Sequence, residues 1–94
     1  MIILKTKDPQ SRLDYSFDIQ DWLNTGDTIA SVEWILDPGI TIGIDTYAPW
    51  NTDTGAFCWI SDGTLGEVYN VTCRITTVGG RIDDFSFQLS IEST

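Results

Sequence analysis

The chain has 94 residues, a formal charge of −9 with only five basic residues, and no histidine. That length fits one domain (1–94) around one modest core. The acidity disfavours nucleic acid and anionic membranes as partners, and the missing histidine removes Ser-His-Asp and Cys-His catalysis and the common zinc-hydrolase sites.

In chain order, "MIILKT" (1–6) reads as a short apolar strand. It lacks the charged-then-apolar pattern of a secretory leader, so the chain is expected to stay where it is made unless an assembly carries it. Pro9 marks a turn across 7–12. "LDYSFDI" (13–19) alternates, with Leu13, Tyr15, Phe17 and Ile19 on one face. From Asp18 the alternation breaks. Asp18 can cap a single helical turn near 19–24, Trp22 and Leu23 fold back as a plug, and Gly26 ends the turn.

"TIASVEWIL" (28–36) is the next strand, with Ala30, Val32, Trp34 and Leu36 facing inward and Ser31 and Glu33 outward. "DPG" (37–39) turns the chain. "ITIGIDTY" (40–47) groups Ile40, Ile42 and Ile44 on one strand, and 48–55 is a loop carrying Trp50. In "AFCWI" (56–60), Ala56, Cys58 and Ile60 share one face and Phe57 and Trp59 the other. Trp59 and Phe57 are either open to partners or covered by the 19–24 segment. "SDGTLG" (61–66) turns again, with no helix pattern behind it that would make a phosphate cradle.

The last two arms flank Gly79-Gly80. Tyr69, Val71, Cys73 and Ile75 share a face on one, and Phe85, Phe87, Leu89 and Ile91 on the other. A two-residue loop would oppose Ile75 to Asp84 and leave one face half polar. Opposed residues lie on the same side of a sheet, so burial selects an odd loop. The expectation is a three-residue loop, Gly79-Gly80-Arg81, with a glycine at positive φ. It sets Ile75 against Phe85, Cys73 against Phe87 and Val71 against Leu89. The outer face is then polar, with Val78 and Ile82 near the tip, where they either staple the loop or touch a partner.

About seven short strands, regular turns and almost no helix predict an all-β, immunoglobulin-like antiparallel β-sandwich with one short helical turn near 19–24. Tyr69 sits where such domains place a corner tyrosine, and Trp34 where they place an inter-sheet tryptophan. Cys58 and Cys73 lack CxxC spacing and read as reduced, buried small hydrophobes, a disulfide or reactive thiol being the alternative. Asp83 and Asp84 are adjacent on a strand, so they point apart and share no site. Asp18, Asp21 and Asp27 read as turn caps, and "NTDTG" (51–55) lacks the full ligand series of a calcium loop. No catalytic residue, metal ligand or cofactor site is expected. The partner-contact candidates are Trp50, Trp59, Val78 and Ile82, since exposed aromatic rings anchor protein interfaces or stack on sugars.

Three blocks carry a resemblance: "DIQDWLNTGDTIAS" (18–31), "WISDGTLGEVYNVTCRITT" (59–77) and "GRIDDFSF" (80–87). With the strands between them they cover most of the chain. They resemble the small immunoglobulin-like structural proteins of tailed bacteriophages described as fibre-tail adaptor proteins. The chain departs from that pattern at Ile19, where the family tends to have tryptophan, at Asp62, where glycine is usual, and at Cys73, often asparagine. The resemblance implies a non-enzymatic virion protein of the tail region, assembled in the host cytoplasm. Its implied partners are other virion proteins (tail, fibre or connector components), bound in multiple copies in a symmetric assembly. A capsid decoration protein differs only in partner, and a carbohydrate-binding module using Trp50 and Trp59 is the competing class.

Overall fold

Turn chemistry lays out the strands of the computed structural model, which describes residues 3–93. The described residues form β1 (Leu4–Lys7), β2 (Leu13–Asp18), β3 (Ile29–Leu36), β4 (Ile40–Ile42), β5 (Trp50–Asn51), β6 (Gly55–Asp62), β7 (Val68–Thr77) and β8 (Ile82–Ile91), with one 3-10 turn at Asp45–Tyr47. One sheet runs β1-β8-β7-β3 and the other β2-β6-β4, with β5 also paired to β6. The chain is all-β, two sheets face to face, and its strand order is consistent with an immunoglobulin-like sandwich. The expected first strand begins at Met1; its first two residues lie outside the described ones. Lys7, expected in the following turn, instead ends β1.

Side-chain parity builds the core. Tyr15, Cys58, Ile60, Val71, Phe87, Leu89 and Ile91 meet between the sheets, and Ile19, Ile29, Ala56, Cys73 and Ile75 form a second cluster beside them. Each fully buried aliphatic or aromatic side chain contributes roughly 1.5–3 kcal/mol of transfer free energy. Phe17 packs against both clusters, lying 5.6 Å from Phe87 and 6.0 Å from Trp34, ring centre to ring centre. Trp34 is thus the expected inter-sheet tryptophan, though only partly buried. Trp22 and Leu23 plug one end as expected. The 19–23 segment is a single hydrogen-bonded turn, in which the N–H groups of Trp22 and Leu23 donate to the Ile19 carbonyl and Asp18 accepts from the Gln20 N–H. Thr64 N–H donates to the Tyr69 hydroxyl at 3.0 Å, the corner expected of that tyrosine.

The β7–β8 hairpin has the expected parity but a different loop. Val71 opposes Phe87, Cys73 opposes Phe85 and Ile75 opposes Asp83, a slide of two residues that keeps the same face inward. Thr77 N–H donates to the Arg81 carbonyl and Gly80 N–H to the Thr77 carbonyl, so the loop is Val78-Gly79-Gly80. In a three-residue loop the third position takes the left-handed conformation. Gly80 has φ +96. A loop at 79–81 would have forced Arg81 into that conformation.

Two other expectations are corrected. A β-bulge interrupts the β3–β7 register between Ile29 and Ser31, so Ile29 is buried and Ala30, expected inward, is exposed. The 40–47 strand stops at Ile42. A Cβ on Gly43 would collide with the Tyr47 carbonyl, so glycine there lets the chain fold back into its 3-10 turn. Ile44 is consequently 72% exposed instead of joining Ile40 and Ile42.

β1 pairs in parallel with β8, from Leu4 opposite Gln88 to Lys7 opposite Ile91. Lys7 anchors it at 1% exposure, its ammonium donating to the carbonyls of Asp8 and Ser11. Burial holds its pKa below the ordinary lysine value, while the carboxylates of Asp62 and Asp8 oppose that shift.

Candidate interaction surface

Alternation on β6 turns Phe57 and Trp59 outward, away from buried Ala56, Cys58 and Ile60. The segment that folds over them is 44–51, not 19–24. Tyr47 meets Trp59 edge-on at 5.2 Å, and Trp50 stacks on Phe57 at 4.0 Å with 9° between planes. The Arg12 guanidinium lies 4.1 Å over the Tyr47 ring. The outer face of this sheet is therefore a surface of four rings, with Trp50 still 53% exposed. On β2, Asp14 lies opposite Trp59 and Asp18 opposite Gly55, so carboxylates border the rings. Aromatic pairs of this geometry contribute about 0.5–1.5 kcal/mol beyond their buried area and hold the platform still.

Val78 and Ile82 lie on the other sheet, at the tip of the β7–β8 hairpin. They remain 70% and 65% exposed. The tip is tied down from beneath. Val78 N–H donates to the Thr28 carbonyl, and Gly79 N–H to the Asp27 carboxylate at 2.8 Å. The Thr77 hydroxyl, then the Gly79 N–H, hold the Asp27 carboxyl below its usual range. Arg81 stacks over Trp22 at 4.1 Å and donates to the Trp22 carbonyl. The first and third blocks of the resemblance thus meet at one end of the sandwich. Trp50 and Trp59 are brought together with Phe57 and Tyr47; Val78 and Ile82 form a separate outpost.

Tyr47 and Arg12 had no mark in the sequence, because only the fold-back at Gly43 brings Tyr47 over Trp59. Phe57 was legible from its parity with Trp59.

Charge is distributed unevenly. Lys7 is bound to carbonyls, Arg12 and Arg81 stack on rings, Lys5 lies 5.7 Å over Phe87, and Arg74 forks onto Asp84. Every basic side chain thus has an internal partner, against 14 carboxylates in the chain. The thiols of Cys58 and Cys73 are free and fully buried, and burial pushes both up to about 12, which holds them protonated. The "NTDTG" loop is a turn in which the Thr52 hydroxyl accepts from the N–H groups of Thr54 and Gly55. Among the described residues no group of three or more His, Cys, Asp or Glu side chains could hold a metal ion, and no helix is long and apolar enough to cross a membrane. What the surface offers is contact: aromatic rings, exposed aliphatics, of which Val78 and Ile82 sit together at the hairpin tip, and negative charge.

The model of one protein family, described as "Podophage GP4 fiber-tail adaptor protein gp77", matches residues 7–90. No curated protein matches the chain.

Proposed function

This chain belongs to the podophage fibre-tail adaptor family, and from that premise we propose that it joins fibre and tail components of the virion through protein–protein contacts, without catalysis. One observation supports a joining role in particular. Two exposed apolar surfaces lie on different sheets of one frame, the rings around Trp50 and Trp59 on one and the Val78–Ile82 tip on the other. An adaptor must hold two partners at a fixed separation. Two interfaces of about 800 Å² each would occupy under a third of its 5760 Å² surface. In this reading Trp50 and Trp59 anchor one partner, Val78 and Ile82 the other, and several copies work in the tail region.

The test is a phage lacking this gene product, compared with the parent by particle mass spectrometry and electron microscopy. Parent particles carry the chain, and the deletion yields tails without fibres. A chain absent from parent particles, or fibres attached normally without it, overturns the reading.

A further inference from the structure

The free edge of β3 carries a second kind of contact. β3 is eight residues long, and among the described residues β7 is its sole strand partner. Its hydrogen-bond phase is fixed at one end. Asp37 N–H donates to the Asn70 carbonyl, continuing the register of Ile35 with Thr72 and Glu33 with Arg74. In an antiparallel ladder the alternate residues direct their main-chain groups away from that neighbour. Val32, Trp34 and Leu36 therefore present N–H and C=O groups to the open side. Past the bulge the phase inverts, and Ile29 N–H is already taken by the Asp53 carbonyl. Beyond Ile29 the covering chain diverges and leaves a cavity of about 70 Å³ lined by Val32, Trp34, Pro49, Trp50 and Asn51. The indole N–H of Trp34 is buried with no acceptor.

At eight residues β3 is the longest strand with an open edge; β2, the next longest, has six and carries Asp14 and Asp18. Exposed edges are ordinarily blunted by lysine, proline, charge or short length. β4 is three residues and β1 four. On β8, Asp84 N–H is capped by the Asp83 carboxylate. From Ser31 to Leu36, β3 has neither lysine nor proline. We propose that Val32–Leu36 receives an extended strand from a basic partner protein of the virion, adding a fifth strand to the β1-β8-β7-β3 sheet. The occupant is basic because this chain carries 14 carboxylates and keeps its five basic side chains internally engaged; the carboxylates of this edge are Glu33, held to Arg74 only at 4.0 Å, and Asp37, which accepts from Asn70. A second copy would bring nine more net negative charges to the same place. The slot beside Trp34 receives a side chain of the incoming strand, and an acceptor on that strand satisfies the indole. This inference rests on the proposed virion role and names how one partner is held.

Amide hydrogen exchange tests it, on the isolated chain and on the chain within purified particles. In isolation the amides of Val32, Trp34 and Leu36 exchange fast, while Glu33 and Ile35 between them are slow. In particles the three fast amides gain at least about tenfold protection. Val32→Pro removes one edge N–H that no main-chain bond of the fold uses, and because Val32 also packs on the core it is read against Val32→Ala. Val32→Pro loses retention on particles and Val32→Ala keeps it, whereas equal retention of the two overturns the edge contact. If the chain is in particles but those amides exchange as in isolation, this inference fails and the adaptor reading stands. If the chain is absent from particles, both fail. Protection that rises with concentration of the isolated chain means a second copy fills the edge, and overturns the basic partner.

Discussion

The two sheets obey the same parity, yet their outer faces differ. On the β1-β8-β7-β3 sheet the outward side chains satisfy one another: Arg74 forks onto Asp84, Thr72 meets Ser86 at 3.0 Å, and Asn70 accepts from Gln88. On the β2-β6-β4 sheet the outward side chains of β6 are aromatic, and the 44–51 segment adds Tyr47 and Trp50 to them. The inner faces are equally apolar, so folding requires both sheets alike. Water suffices as neighbour for the polar centre of the first outer face, whose exposed apolar side chains (Leu4, Ile35, Val68 and Ile82) stand apart at its margins. The second leaves Trp50 exposed at an energetic cost that folding alone does not explain, which is why it reads as a surface for a partner.

The sharpest way to break that comparison is to truncate one aromatic ring inside and one outside. Phe87 is 2% exposed and packs on Tyr15 at 5.3 Å and on Phe17. Phe87→Ala should cost about 3–5 kcal/mol in urea denaturation, a large share of the roughly 5–15 kcal/mol that holds a small domain together. Trp50→Ala loses one stacked pair and should cost only about 1 kcal/mol. Equal losses would mean that the Trp50 platform belongs to the core.

That parity was legible in the sequence because one-residue alternation admits only one buried set. It gave the inward positions of β2, β6, β7 and β8 and the outward position of Trp59. The hairpin loop is legible too, because the left-handed residue of a three-residue loop comes third, a place that Gly80 can occupy and Arg81 is poorly suited to. The bulge at Ala30 left no such mark, since alanine fits either face. The cover over Phe57 and Trp59 is tertiary. Tyr47 reaches Trp59 only because the chain reverses at Gly43, a contact no local period encodes. The buried Lys7 was equally hidden, because a lysine next to a turn ordinarily reads as solvated.

Titration separates the interior from the surface next. Burial raises Cys58, Cys73 and Tyr15 each to about 12. All three are held in the protonated form by the fold. Their contribution is complete below the unfolded pKa values, about 8.5 for thiols and 10 for tyrosine, and is lost as pH rises toward the folded values. The urea midpoint should therefore fall between pH 8 and pH 10.5, with a shallower fall in the Cys58→Ala and Cys73→Ala variants. Labelling by a thiol reagent should proceed at the rate of unfolding. Fast labelling of the native chain at pH 8 would show that the interior admits reagent.

Binding sharpens the comparison from the outside. If the rings anchor a partner, Trp50→Ala should weaken retention on purified particles about 30-fold, the loss typical of an interface hot spot. Thr72→Ala, on the polar outer face, should leave retention unchanged. A Thr72→Ala defect as large as that of Trp50→Ala would assign the wrong sheet to that partner.

The smallest effect is expected at the fork between Arg74 and Asp84, with Nε to Oδ1 at 2.8 Å and a second bond at 3.1 Å. The Arg74 hydrogen bond and charge hold the Asp84 carboxyl below its usual range. The pair lies open to solvent, where Coulomb attraction is screened and ordering two side chains costs entropy. Its contribution is present above the ordinary carboxylate pKa and is lost as pH falls through the lowered one. A double-mutant cycle of Arg74→Ala and Asp84→Ala should give a small coupling that shrinks in 1 M salt, where the Debye length is about 3 Å, and disappears in acid. Neither variant should alter retention on particles. A large, salt-resistant coupling would mean that something covers this face as well, and the contrast between the two sheets would then be one of partner chemistry, polar on one side and aromatic on the other, instead of water against protein.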